Sequence, residues 1–91
     1  MKKCIAALKQ KIDESAEGWG QMAKDFHAKG KPFKKAHKAT NEACARAIEL
    51  SELISVHAED VLFFEKIERP TTRLREAEDL ALKEWSKAIN P

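Results

Sequence analysis

The residues of this 91-residue chain best suited to chemistry are three histidines, His27, His37 and His57, and two cysteines, Cys4 and Cys44. No histidine has a glutamate three residues before it, so the ligand motif of carboxylate-bridged di-iron bundles is missing from the sequence. His37 and Cys44 would share a helical face, but seven residues of helix separate them by roughly 10.5 Å, too far to ligate one ion. The sequence therefore predicts no metal site.

Catalytic motifs are missing as well. The chain has no His-Glu-x-x-His, no glycine-rich phosphate loop and no Cys-x-x-Cys. His57 falls on the predicted inner face of a helix, where a hydrogen-bonded core histidine is the simpler interpretation and a ligand or pH switch the alternative. We predict that the protein is not an enzyme and uses no cofactor; a catalytic pair assembled between two protomers is the alternative.

A lysine-rich segment is the best candidate for a ligand-facing site. Residues 24–41 carry six lysines and one aspartate, a net charge of +5. Together with Phe26 and Phe33, these lysines are of the types that hold phosphates and stack bases. The same two phenylalanines would equally serve to close a helical hairpin. The predicted ligand-binding or partner-binding residues are Lys29, Lys31, Lys34, Lys35, Lys38 and His37.

Charge is unevenly distributed along the chain. Residues 42–68 carry seven acidic and two basic side chains, a net charge of −5, although the whole chain has a net charge of only +2. Lysines that precede acids in one helix oppose its macrodipole, which costs about 0.3–1 kcal/mol per charge. Three interpretations follow: solvated ends, a basic end that binds an anionic partner, or complementary ends that pair between protomers.

Hydrophobic periodicity predicts an all-α protein that forms a single domain over residues 1–91. Gly30 and Pro32 would end the first helix, and Pro70 would end the second because it cannot donate a helix hydrogen bond. Thr71 or Thr72 would then cap the third helix, and the amides at the start of the second would be unpaired and available to an anion. The predicted helices span about residues 3–28, 33–68 and 72–88.

The first helix presents bulky residues and the second presents small ones, which predicts close antiparallel packing. In this register Trp19 faces Thr40 and Ala43, while Ile12 faces Ala47. The C-terminal half of the second helix has a broad apolar face that includes Val56, Val61 and Phe64, and the third helix would cover it by folding back. We expect a long antiparallel hairpin with a third helix, an elongated three-helix bundle.

Three apolar residues, Cys44, Ile48 and Leu62, lie outside that broad face. Scattered surface apolar residues are the simpler interpretation, and a self-association seam is the alternative. The length of the predicted second helix and the complementary charges favour the seam, so we expect a homo-oligomer, most simply a dimer. Cys4 and Cys44 would lie roughly 16 Å apart, which predicts buried or half-buried free thiols in a reducing compartment.

The apolar run over residues 4–8 is too short for a signal peptide, and no run approaches the ~20 residues of a membrane span, so we expect a cytoplasmic protein. In size, helicity and lack of catalytic residues, the chain is similar to the small all-helical accessory proteins of phages and mobile elements. Many of those block a host protein by occupying its surface. The resemblance implies an inhibitor or adaptor that binds a larger protein or ribonucleoprotein. The alternative function is binding of nucleic acid or a phosphorylated ligand through the lysine-rich turn.

Overall fold

The computed structural model describes residues 2–90, and every regular element in this range is helical. Met1 and Pro91, the two ends of the predicted 1–91 domain, lie outside the described residues. The all-α prediction is confirmed. The elements are α1 (Lys3–Lys29), a 3₁₀ turn (Lys31–Phe33), α2 (Lys34–Val56) and α3 (Phe63–Ile89).

The three helices form an elongated bundle that measures 47 × 18 × 16 Å. The central helix is α2, which packs against both α1 and α3. Side chains also join α1 to α3, because the indole nitrogen of Trp19 donates a hydrogen bond to Glu78 Oε2 at 2.8 Å. The predicted elongated three-helix bundle is therefore confirmed.

The interface between α1 and α2 joins bulky to small residues, as the sequence predicts. Trp19 packs against a buried cluster that contains Ala43, and Ile12 packs against one that contains Ala47. Both alanines are completely buried. Small side chains at these positions let the two backbones approach closely, which fixes the hairpin register.

The predicted second helix over residues 33–68 is wrong at its C-terminal end, since α2 stops at Val56. The chain then turns, and Asp60 Oδ1 accepts a hydrogen bond from the Leu62 amide at 2.9 Å. An aspartate that bonds the backbone two residues ahead offers the chain an alternative to the helix. Because the turn reverses the chain, Ala58 and Phe63 reach the core formed by the other helices.

The predicted helix break at Pro70 is also wrong, because this proline lies inside α3. Its missing N–H removes one helix hydrogen bond, at a cost of about 3 kcal/mol in a helix interior. Burial on both sides outweighs that cost, since Ile67 and Leu74 both belong to the core cluster. Thr71 and Thr72 do not cap a helix; their hydroxyls donate to backbone carbonyls of the preceding turn at 2.7 and 3.2 Å.

Candidate functional site

The turn between α1 and α2 forms one end of the bundle, called the basic end below. Gly30 has a φ of +92°, a conformation that glycine adopts without strain. The turn brings Phe33 onto Phe26 with ring centroids 5.8 Å apart. Lys29 Nζ lies 5.5 Å from the centroid of each ring. Lys29 is therefore held by cation–π contacts at the tip of the hairpin.

A shallow groove of about 280 Å³ lies between the end of α1 and the start of α2. The rings of His27 and His37 are 5.0 Å apart between centroids and tilted by 45°. His37 Nδ1 donates to the Ala23 carbonyl at 2.9 Å, which leaves Nε2 as the nitrogen available to a ligand. We call this the histidine groove. It is lined by Phe26, His27, Gly30, Lys31, Lys34 and His37.

The structure divides the five predicted lysines among different surroundings. Lys31 and Lys34 line the histidine groove, whereas Lys35 and Lys38 line a separate groove of about 300 Å³ between α2 and α3. That second groove also contains the carboxylates of Glu42 and Glu84. Lys31 and Lys34 also line a third groove of about 440 Å³, which they share with Lys35 and Glu84. Of these three grooves, the histidine groove is the one whose lining holds no carboxylate.

Two amides that we expected to be free at the start of α2 are already bonded. The Phe33 amide donates to the Gly30 carbonyl at 3.1 Å, and the Lys34 amide donates to the Lys31 carbonyl. Both amides donate within the 3₁₀ turn, because this turn leads directly into α2. Any ligand of the basic end must therefore be held mainly by side chains.

The residues of the predicted oligomer seam do not share one helical face. Cys44 is half-buried against α1, and its thiol donates to the Ala16 carbonyl at 3.3 Å. Ile48 is exposed on α2, while Leu62 is exposed in the turn beyond that helix. The expectation of free thiols is confirmed, but Cys4 is exposed rather than buried.

The turn between α2 and α3 forms the opposite end of the bundle, called the apolar end below and defined by Val56, Val61, Leu62 and Phe64. The sequence pattern assigned three of these residues to the core and Leu62 to a surface strip. Val61 is 97% exposed, and Val56 and Phe64 are each 72% exposed. Val61 and Phe64 also border a concavity of about 320 Å³ beside Cys4. Acidic residues flank this end, including Asp60 and Glu65.

The apolar end was missed because a continuous helix was expected there. With α2 extended to residue 68, Val61 and Phe64 continue the inner stripe of that helix. The turn at Asp60 changes the direction of the chain, so that Phe63 is buried and its neighbour Phe64 is not. The run of Glu59 and Asp60 between apolar segments was the available signal for this turn.

A second feature missed in the sequence is a polar contact between α1 and α2. Ser51 accepts a hydrogen bond from Lys9 Nζ at 2.7 Å and donates one to Asp13. The hydrogen bond from Ser51 holds the pKa of Asp13 below its ordinary value, with a further contribution from Lys9. Ser51 is buried, and these two hydrogen bonds connect α2 to α1.

His57 lies in the turn after α2, where its Nδ1 is 3.7 Å from Asp60 Oδ2. It is half-buried there, not enclosed in the core as the simpler interpretation predicted. In the described range, no group of three or more histidine, cysteine, aspartate or glutamate side chains is arranged to hold a metal ion.

Known protein families, curated proteins and solved structures give no match to this chain. None of the helices within residues 2–90 has the length and apolar character needed to cross a membrane.

Proposed function

We propose that the protein is a non-enzymatic helical protein-binding module, an inhibitor or adaptor acting in the cytoplasm on a larger protein or ribonucleoprotein. The observation that carries this proposal is the apolar end. Four of the nine large apolar side chains that are exposed in residues 2–90 lie within the nine residues 56–64. Exposed apolar patches rimmed by polar residues mark interaction sites on soluble proteins.

The apolar end is suited to binding because its side chains are held on a fixed backbone. Asp60 bonds the Leu62 amide, and Phe63 anchors the start of α3 in the core. Phe64 packs edge-on against Phe63, with centroids 5.1 Å apart, while most of its surface faces solvent. Burying a side chain of this kind on a partner contributes about 1.5–3 kcal/mol, and a fixed turn reduces the ordering cost.

The test is capture of a partner by the immobilised protein from a lysate of its native host. We expect the wild type to retain a specific protein and the double variant V61S/F64S to lose it. The matched control is L80S/L82S, which changes two apolar side chains of α3 that are about half exposed. Equal capture by both double variants would place the partner on another surface, and the recovery of no protein would contradict the proposal.

Self-association is a further part of this proposal. Ile48 and Leu62 are exposed, and Leu62 belongs to the apolar end, so a second copy is one protein that this surface would bind. Light scattering at micromolar concentration measures this directly. A monomer mass would remove the homodimer from the proposal and leave the larger partner.

A second candidate function is the binding of a phosphate-bearing ligand at the basic end. The observation that favours it is the histidine groove, where Lys31 and Lys34 lie beside two imidazole rings. Binding would weaken with added salt because the contacts to phosphate are ionic.

A further inference from the structure

The histidine groove differs from its neighbouring groove in the aromatic rings and in the charge of its lining residues. Its described lining contains Phe26 and two histidines, with two lysines and no acidic residue. The groove beside it combines its own two lysines with Glu42 and Glu84. Because nearby carboxylates offset the lysine charge and repel phosphate, the potential favours an anion in the histidine groove and not in its neighbour.

The rings of the groove offer faces to a planar group. His37 is oriented by its hydrogen bond to the Ala23 carbonyl, while His27 lies on the exposed surface of α1. The two imidazole rings are tilted by 45° with their centroids 5.0 Å apart, and the buried Phe26 also borders the groove. Histidine and phenylalanine rings are among the side chains on which nucleic acid bases stack.

We infer that the histidine groove binds a single nucleotide, with its phosphate held by Lys31 and Lys34 and its base packed on His27 and His37. This inference rests on the second candidate function and is independent of the protein-binding proposal. A volume of about 280 Å³ lies just below the range of about 300–1,000 Å³ that is usual for ligand pockets, so the groove has room for one nucleotide at most. A longer strand would bring further phosphates towards the carboxylates of the neighbouring groove.

The test is a titration of the ¹⁵N-labelled protein with adenosine 5′-monophosphate at low, constant ionic strength, followed by nuclear magnetic resonance. Adenosine and inorganic phosphate are titrated separately as the two halves of the ligand. We expect the nucleotide to shift the amide signals of residues 26–37 and to bind at least tenfold more tightly than either half. This map uses the wild-type protein and does not depend on how any variant folds.

Two lysine variants provide the matched comparison, since each lowers the formal net charge from +2 to 0. We expect K31A/K34A to raise the dissociation constant of the nucleotide at least tenfold, and K35A/K38A to change it less than threefold. H27A should weaken binding of the nucleotide and leave the weaker binding of inorganic phosphate unchanged.

The outcomes separate this inference from the function on which it rests. If both lysine pairs weaken binding equally, the basic end attracts anions diffusely, and the nucleotide site is refuted while the second candidate function stands. Binding of a ten-nucleotide single strand without binding of the mononucleotide would also refute the nucleotide site and leave that function standing. If no anion binds at low salt, both are refuted.

Discussion

The two ends of the bundle differ in how their phenylalanine side chains are buried. At the basic end, Phe26 is buried, and Lys29 lies near the centroids of Phe26 and Phe33. At the apolar end, Phe63 is 3% exposed, but the adjacent Phe64 is 72% exposed. One end uses its rings to close a turn, and the other leaves a ring in water.

The difference shows which end needs its apolar residues for folding. The turn at the basic end is closed by the ring pair, since its backbone reverses at a glycine that supplies no packing. The turn at the apolar end is closed by Asp60 and by Phe63, so we expect the remaining apolar side chains to contribute little to stability. Residues that folding does not need are candidates for a binding role.

The largest expected effect comes from replacing the two neighbouring phenylalanines one at a time. We expect F63A to lower the free energy of unfolding by about 3–5 kcal/mol, because it leaves a cavity in the core. F64A should lower it by less than about 1 kcal/mol, since that ring is mostly in solvent. Urea unfolding followed by circular dichroism measures both.

Similar losses for F63A and F64A would show that the exposed ring supports the fold. The contrast between the two ends would then be wrong. It would also weaken the proposal of a protein-binding surface at the apolar end.

A smaller effect is expected from the residues that set the two turns. G30A should lower stability by about 1–3 kcal/mol, because a φ of +92° with a ψ of −164° lies in a region that essentially only glycine occupies. D60A removes one hydrogen bond to the Leu62 amide in an exposed turn, which is worth about 0.5–1 kcal/mol. Urea midpoints at equal slope give the two values. A larger loss for D60A than for G30A would mean that the turn before α3 is the more critical one.

Much of the hairpin could be predicted from the sequence because its signals are local and agree with one another. Bulky residues on α1 oppose alanines on α2, and Gly30 and Pro32 stand between the two helices. Local propensity and tertiary packing favour the same structure there. The basic end was located correctly for this reason.

The second turn has a local signal in Glu59 and Asp60, but the start of α3 and its passage through Pro70 depend on residues that are distant in sequence. Leu74 and Ile67 pack with residues of the other two helices, and that burial holds α3 helical through Pro70. Local rules treat this proline as a break. The apolar end follows from the same long-range packing, so its exposed residues were assigned to the core.

The cation–π contact at the basic end offers a weaker test of the same contrast. K29M keeps the aliphatic chain but removes the charge over Phe26 and Phe33, which should cost about 0.5–1 kcal/mol. K35M is the control. Lys35 lies in the groove that contains Glu84, and within residues 2–90 it makes no cation–π contact. Thermal unfolding of the two variants side by side measures the difference. Equal stability of K29M and the wild type would indicate that the ring pair alone closes this end.

The smallest effect concerns the polar contact between α1 and α2, where Ser51 donates a hydrogen bond to Asp13. The folded-state pKa of Asp13 lies below its ordinary value of 3.8, first because of Ser51 and then because of Lys9. A carboxyl with a lowered pKa binds its proton more readily in the unfolded chain, so it contributes stability above the ordinary value and loses it as pH falls through the folded value. The Asp13 side chain is about half exposed, at 52%, so solvent screens this contribution and keeps it small. We expect the urea midpoint of the wild type to fall more steeply than that of D13N between pH 5 and the acid limit of folding. Parallel curves of urea midpoint against pH would show that ionisation of Asp13 contributes nothing to stability. The packing of α1 on α2 would then be sufficient to hold these two helices together.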